Sequence, residues 1–232
     1  MILNLLRNGF CRSQKFFASV PSLHSLSRML LLVLFLLLGA ACSTAEPPAG
    51  STGPQRLTGA DGLVVIQPPI VTDFTLIDQD GHSLELASLR GNAVLMAFGY
   101  THCPDVCPVT LARFRQVKDT LGADAERVKF VFVSVDGERD TPEHLKGYLT
   151  LFDAGFVGLT TPDEELARQV IGQFGGGFDI KDAGGLRANY TVDHTASSFL
   201  IDPAGGWTRE YPYNYDPALM AADILTVLQQ TS

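Results

Sequence analysis

The 232-residue sequence predicts an α/β domain: a central mixed sheet flanked by helices, with an N-terminal hairpin extension. Three observations carry this expectation. Two continuous apolar runs of strand length, "AVLMAFG" (93–99) and "VKFVFVSV" (128–135), suit strands buried on both faces. Segments with helical spacing alternate with them. Two cysteines, Cys103 and Cys107, lie where the first run gives way to a helical segment. Open α/β sheets place their sites at such strand ends.

The chain opens on a leader. Residues 29–38, "MLLLVLFLLL", follow the basic Arg28 and precede the small residues "GAACS". That layout is a signal peptide. It resembles a bacterial lipoprotein signal in which Cys42 is lipidated, although Gly39 stands where such signals usually carry Leu. The alternative is a short uncleaved membrane anchor over residues 1–41; the apolar run falls short of the roughly 20 residues a spanning helix needs. Both readings export the domain and tether it to a membrane, facing the bacterial periplasm or the cell exterior. Residues 42–62, rich in Pro, Gly, Ser and Thr, read as a flexible tether. The folded domain is expected over 63–232.

Within it, "FTLID" (74–78) and "SLELASL" (83–89) flank the turn "QDGH" and suggest a hairpin. After the first buried strand, "PVTLARFRQVKDTLG" (108–122) repeats apolar residues at helical spacing, with Pro108 in the first turn and Gly122 at the stop. "DTPEHLKGYLTLF" (140–152) and "TPDEELARQVIGQF" (161–174) read as helices with Thr-Pro openings. The glycine-rich 175–190 reads as an inserted loop or hairpin. "ASSFLID" (196–202) and "WTREY" (207–211) pair across "PAGG", and "DPALMAADILTVLQQ" (216–230) closes the chain as a helix. This element order is that of a thioredoxin-like domain. Order alone does not separate it from other α/β folds; the cysteine motif does.

Charge excludes one class of partner. Four basic residues (Arg7, Arg12, Lys15, Arg28) and no acidic ones precede residue 42, so of 17 basic and 25 acidic side chains the rest of the chain carries 13 against 25. So acidic a domain argues against nucleic acid, whose phosphates need Lys/Arg clusters.

Only Cys103 and Cys107 of the four cysteines fall in the folded part; Cys11 and Cys42 lie in the leader region. Two close thiols make no disulfide scaffold and point to a metal or redox site. Three residues separate them, one more than in a thioredoxin-type Cys-x-x-Cys. If both were near-helical, the spacing would put them on one face with Cβ atoms roughly 5–6 Å apart. A disulfide wants roughly 3.5–4.5 Å. The wider bite suits an ion and still allows oxidation. Soft thiolates select Cu(I), with Zn(II) as competitor. Structural zinc would need two further ligands.

A third ligand is sought among the histidines. His24 lies in the leader; His82 and His144 read as exposed; His102 adjoins Cys103 and can cover the site. His194, in "NYTVDHTASSFLID", is the best candidate. A lone histidine before a strand is nonetheless more often structural or exposed, and the residues alone leave that alternative open.

"GYTHCPDVCPVTL", "FVSVDGERDTPEHLKGY" and "NYTVDHTASSFLID" together resemble the Sco/SenC family over roughly residues 70–230. These are membrane-tethered, thioredoxin-like proteins that help assemble the binuclear Cu-A centre of cytochrome c oxidase. The resemblance implies copper, as Cu(I) and Cu(II), on Cys103, Cys107 and His194. It implies the oxidase's copper-bearing subunit as partner and a periplasmic copper donor upstream. Gly137 stands where the family usually has proline. Asp105 and Asp193 are candidates for tuning or orienting the site, or for capping and turns; Asp136 reads first as a turn residue. The expected function is a metallochaperone rather than an enzyme. The alternatives are a thiol–disulfide oxidoreductase, with Cys103 and Cys107 as its redox pair, and a copper or redox sensor. A peroxidase is weaker, since nothing marks Arg113 or Arg115 as catalytic.

Overall fold

The computed structural model describes residues 55–59, 63–67, 71–182 and 190–230. The expected leader over 1–41, the lipidation of Cys42 and the first part of the tether lie outside the described residues. Eleven strands and four α-helices are described. The strands are β1 (Gln55–Thr58), β2 (Val64–Gln67), β3 (Thr75–Asp78), β4 (Ser83–Glu85), β5 (Ala93–Gly99), β6 (Val128–Ser134), β7 (Val157–Thr160), β8 (Phe178–Asp182), β9 (Tyr190–His194), β10 (Ser198–Ile201) and β11 (Trp207–Tyr211). The helices are α1 (Val106–Leu121), α2 (Pro142–Thr150), α3 (Glu164–Gln173) and α4 (Pro217–Gln230).

Nine strands form one mixed sheet in the order β1-β2-β11-β10-β5-β6-β7-β3-β4. Strands β5, β6 and β7 are parallel at its centre; the flanking pairs are antiparallel. All seven residues of β5 are buried, as its unbroken apolar sequence requires. Helices cover both faces. On one, Phe98, Phe174, Phe199 and Trp207 pack edge to face or tilted. On the other, Phe114 of α1 meets Phe130 and Phe156. Truncating one such ring costs about 3–5 kcal/mol. The expected α/β architecture and the β3–β4 hairpin are both present.

Four details differ from expectation. Gln55–Thr58 falls inside the stretch read as tether, yet it pairs with β2 along one sheet edge. Leu86–Leu89 winds into a 3₁₀ turn instead of continuing the hairpin strand. Helix α3 starts at Glu164, because Asp163, not Thr161, caps it by accepting from the Glu165 and Leu166 amides. Strand β7 carries too short a pattern to read, and Gly158 within it is required by packing: a Cβ there would lie 2.6 Å from Leu149 and 2.7 Å from Leu145 of α2. The glycine-rich segment supplies the β8–β9 hairpin, a separate two-stranded sheet that ends on His194; residues 183–189 lie outside the described residues.

Gly137 sits against the backbone of the β7–α3 turn. A Cβ at this position would fall 1.7 Å from the Thr161 carbonyl oxygen. Gly137→Ala is therefore expected to cost about 1–3 kcal/mol, or several degrees of Tm for a domain of this size. A thermal melt checks this, and an unchanged midpoint would show that the turn yields freely.

Candidate metal centre

The site is built by three elements. Strand β5 ends at Gly99, a loop carries Cys103, and α1 begins at Val106 with Cys107 in its first turn. Cys103 thus precedes the helix, and the sulfurs do not converge by sharing a helical face. The Cys103 amide donates to the Tyr100 carbonyl at 3.2 Å, which folds the loop back. The Cys107 amide then donates to Cys103 Sγ at 3.5 Å. Gly99 permits the approach from below, since a Cβ there would meet Cys107 Sγ at 2.6 Å and the Phe132 ring at 2.8 Å.

The β8–β9 hairpin brings the third group. His194 Nε2 lies 3.3 Å from Cys107 Sγ. Its Nδ1 lies 3.0 Å from the Thr195 carbonyl oxygen. A carbonyl only accepts, so Nδ1 carries the proton and Nε2 presents its lone pair to the sulfur. Asp193 does not orient the ring; Thr195 does, and Thr195 is itself fixed by paired bonds with the Gly177 backbone. The Tyr100 ring stands edge-on to His194 at 5.9 Å. One ligand atom from each of Cys103, Cys107 and His194 lies within 4.8 Å of the others.

Burial sets the protonation states. Cys107 is 1% exposed and Cys103 9%, and both are free thiols. Burial pushes the Cys107 thiol far above the ordinary range, with repulsion from Cys103 and Asp140 adding to it. Burial also lowers the His194 pKa, against the Thr195 carbonyl and Asp193, so the imidazole is neutral at physiological pH. The metal-free site is uncharged at His194 and Cys107, and a soft cation entering it must displace the thiol proton. An open cleft of about 500 Å³, lined by Tyr100, Cys103, Asp105, Val192 and His194 among others, exposes this edge.

A buried polar network holds the frame. Asp140, fully buried, accepts from the Thr101 amide at 2.9 Å, the Thr101 hydroxyl at 2.6 Å and the Ser134 hydroxyl at 2.6 Å. Asp136 accepts from Arg139 Nε at 2.5 Å and from the Tyr190 hydroxyl, and Arg139 stacks 3.6 Å above the Tyr190 ring. That clamp fixes the start of β9, the strand that delivers His194. Asp136 therefore acts through structure, by way of Arg139 and Tyr190. Asp140 was hidden in sequence because "DTP" reads as a helix cap; the cap is Thr141, which accepts from the His144 amide at 3.3 Å. Asp105 occupies the N-cap position of α1 but makes no capping bond. His82 is exposed at the β3–β4 turn, and neither His102 nor His144 joins the three donors.

Comparison with known proteins places this arrangement. The profile of the SCO1/SenC family matches residues 66–229. The SCO2-like protein of Rickettsia conorii is 33% identical over 148 residues, 64% of this chain and 72% of the relative. Among solved structures, Bradyrhizobium japonicum ScoI with copper bound is 38% identical, with a TM-score of 0.63 over 69% of this chain and 100% of that one. A SCO1/SenC family lipoprotein from Bacillus anthracis is 25% identical, with a TM-score of 0.61 over 69% of this chain and 97% of that one. With its thioredoxin-like α/β sheet, its cysteine pair at the end of β5 and its profile match across most of its length, the chain belongs to the SCO1/SenC family.

Proposed function

We propose that this protein is a copper-binding assembly factor in which Cys103, Cys107 and His194 hold one copper ion, as Cu(I) or Cu(II). It would supply or prepare the Cu-A centre of cytochrome c oxidase. The observation that carries the reading is the convergence of two sulfurs and an unprotonated imidazole nitrogen within 4.8 Å, beside an open cleft past the C-terminal end of β5. Two thiolates and one imidazole match the preference of copper for soft donors. The copper-bound ScoI of Bradyrhizobium japonicum supports the choice of ion.

The cleft beside Cys103 lets a partner approach the donors, as transfer by ligand exchange to the oxidase's copper-bearing subunit requires. Export and a membrane tether through Cys42 or the leader fit the lipoprotein relative. No helix among the described residues is long and apolar enough to cross a membrane.

A thiol–disulfide exchanger needs an accessible, readily ionised attacking thiol. Cys107 is buried with its thiol pushed far up, so only Cys103 could attack. The proposal is tested by titrating the reduced chain with Cu(I) against a competing chelator, beside His194→Ala. One tightly held copper, weakened at least about tenfold in the variant, is expected, since losing a direct ligand costs no less than losing an outer-sphere partner. No tight copper, or binding indifferent to His194, would move thiol–disulfide exchange to first place.

A further inference from the structure

A second group of donors stands on the other side of the Cys103 loop. The rings of His102 and His144 stack with centroids 5.4 Å apart and planes 20° from parallel. His102 Nδ1 lies 3.9 Å from Asp140 Oδ1. A nitrogen of each histidine and an oxygen of Asp140 all fall within 4.8 Å of one another. Both rings are exposed, whereas the carboxylate is fully buried.

We propose that His102, His144 and Asp140 form a second metal site, for a borderline divalent ion of the Cu(II) type. Two imidazoles and a carboxylate are a harder donor set than the cysteine centre, suited to Cu(II) or Zn(II) rather than Cu(I), and among divalent ions Cu(II) binds such a set most tightly. The carboxylate is already oriented. The Thr101 hydroxyl donates to Asp140 Oδ1 at 2.6 Å, and Thr101 Oγ1 lies 3.1 Å from His102 Nδ1. With its own proton given to Asp140, Thr101 Oγ1 accepts from His102 Nδ1–H; an ion taking Nδ1 would displace that proton, while the Thr101–Asp140 bond would continue to orient the carboxylate. A separation of 3.9 Å between Nδ1 and Oδ1 needs only a small inward movement of an exposed ring to span an ion with bonds of roughly 2.0–2.2 Å.

The surroundings favour a cation. The donors border an open groove lined by Thr101, Glu143 and Tyr148. Glu143 adds a second carboxylate at the groove, offsetting the positive end of α2 on which His144 sits. The Tyr148 hydroxyl is buried and has no hydrogen-bond partner among the described residues, which leaves it available to an ion's outer sphere. His102 adjoins Cys103 in the chain, so the two centres share one loop.

The test uses the full chain with all four cysteines changed to serine and with His194→Ala, which removes the first centre. Cu(II) alone is the probe, read by equilibrium dialysis and electron paramagnetic resonance. One Cu(II) per chain with two coupled imidazole nitrogens is expected. Adding His102→Ala or His144→Ala should weaken binding at least about tenfold and remove one nitrogen coupling. Should that background fail to fold by circular dichroism, the same two substitutions are compared in the cysteine-intact chain preloaded with one Cu(I), reading uptake of a Cu(II) ion. Absence of stoichiometric Cu(II), or binding unmoved by both histidine substitutions, overturns the proposal. Because the first background lacks Cys103, Cys107 and His194, neither result there depends on the copper reading of that centre.

Discussion

A Cys107→Ser chain is expected to bind Cu(I) more than about 100-fold more weakly than the native protein, a larger loss than removal of an outer-sphere partner brings. The reason is chemical rather than steric. Serine offers a hydroxyl, which is a poor ligand for a soft ion, in place of a thiolate. The remaining Cys103 and His194 stand on separate elements, a loop and the end of a hairpin, and Cys107 is the donor the hairpin histidine directly faces, at 3.3 Å. The fold should survive. Position 107 is 1% exposed, serine is slightly smaller than cysteine, and its hydroxyl can donate to His194 Nε2 in place of the thiol. The stability change is expected to stay near about 1 kcal/mol. A chelator competition for Cu(I), paired with a thermal melt of the metal-free chain, reads the two effects separately. Native-like affinity in a folded variant would remove Cys107 from the ligand set and with it the proposed function.

The parts of this site that sequence revealed are those tied to residue chemistry and local period. The run of seven apolar residues suited a doubly buried strand, and it is β5 to the residue. The Cys-x-x-x-Cys spacing announced soft donors at a helix start. What sequence could not carry was tertiary. The sulfurs converge because Cys103 loops back onto α1, not because four residues make one helical turn. The His194 tautomer depends on a carbonyl one residue on, whose position depends on Gly177 across the hairpin. Asp140 touches Thr101 and Ser134, 39 and 6 residues away in the chain, and no local pattern marks a buried carboxylate of that kind. His144 read correctly as exposed on its helix; that it would stack on His102 follows only from the packing of α2 beside the Cys103 loop.

The same burial that shapes the donors should make the metal-free protein's stability fall on both sides of neutrality. His194 is held neutral when folded, its pKa lowered by burial, whereas in the unfolded chain it titrates near about 6.5. Below that pH the unfolded state binds the extra proton, so stability falls as pH drops. Cys107 works in the opposite direction. Its folded thiol keeps the proton well beyond the pH, about 8.5, at which an unfolded thiol loses it. Above that point the folded state binds more protons than the unfolded one, and stability falls by about 1.4 kcal/mol per pH unit from this group alone. The buried tyrosines Tyr100, Tyr190 and Tyr211 and the half-buried Tyr148 are also shifted upward. They add to the decline only above about pH 10, where unfolded tyrosines ionise. The window between about pH 8.5 and 10 therefore reports Cys107. Copper cancels the decline there, because binding expels the same thiol proton and strengthens per pH unit by as much as the metal-free fold weakens. Melts of the metal-free and Cu(I)-loaded chain across this window should diverge steadily, and Cys107→Ser should flatten the metal-free decline. A metal-free midpoint that holds constant to pH 10, or a decline that Cys107→Ser leaves untouched, would mean that the buried thiol ionises freely in the fold. The site would then be better suited to thiol exchange than to holding a soft ion.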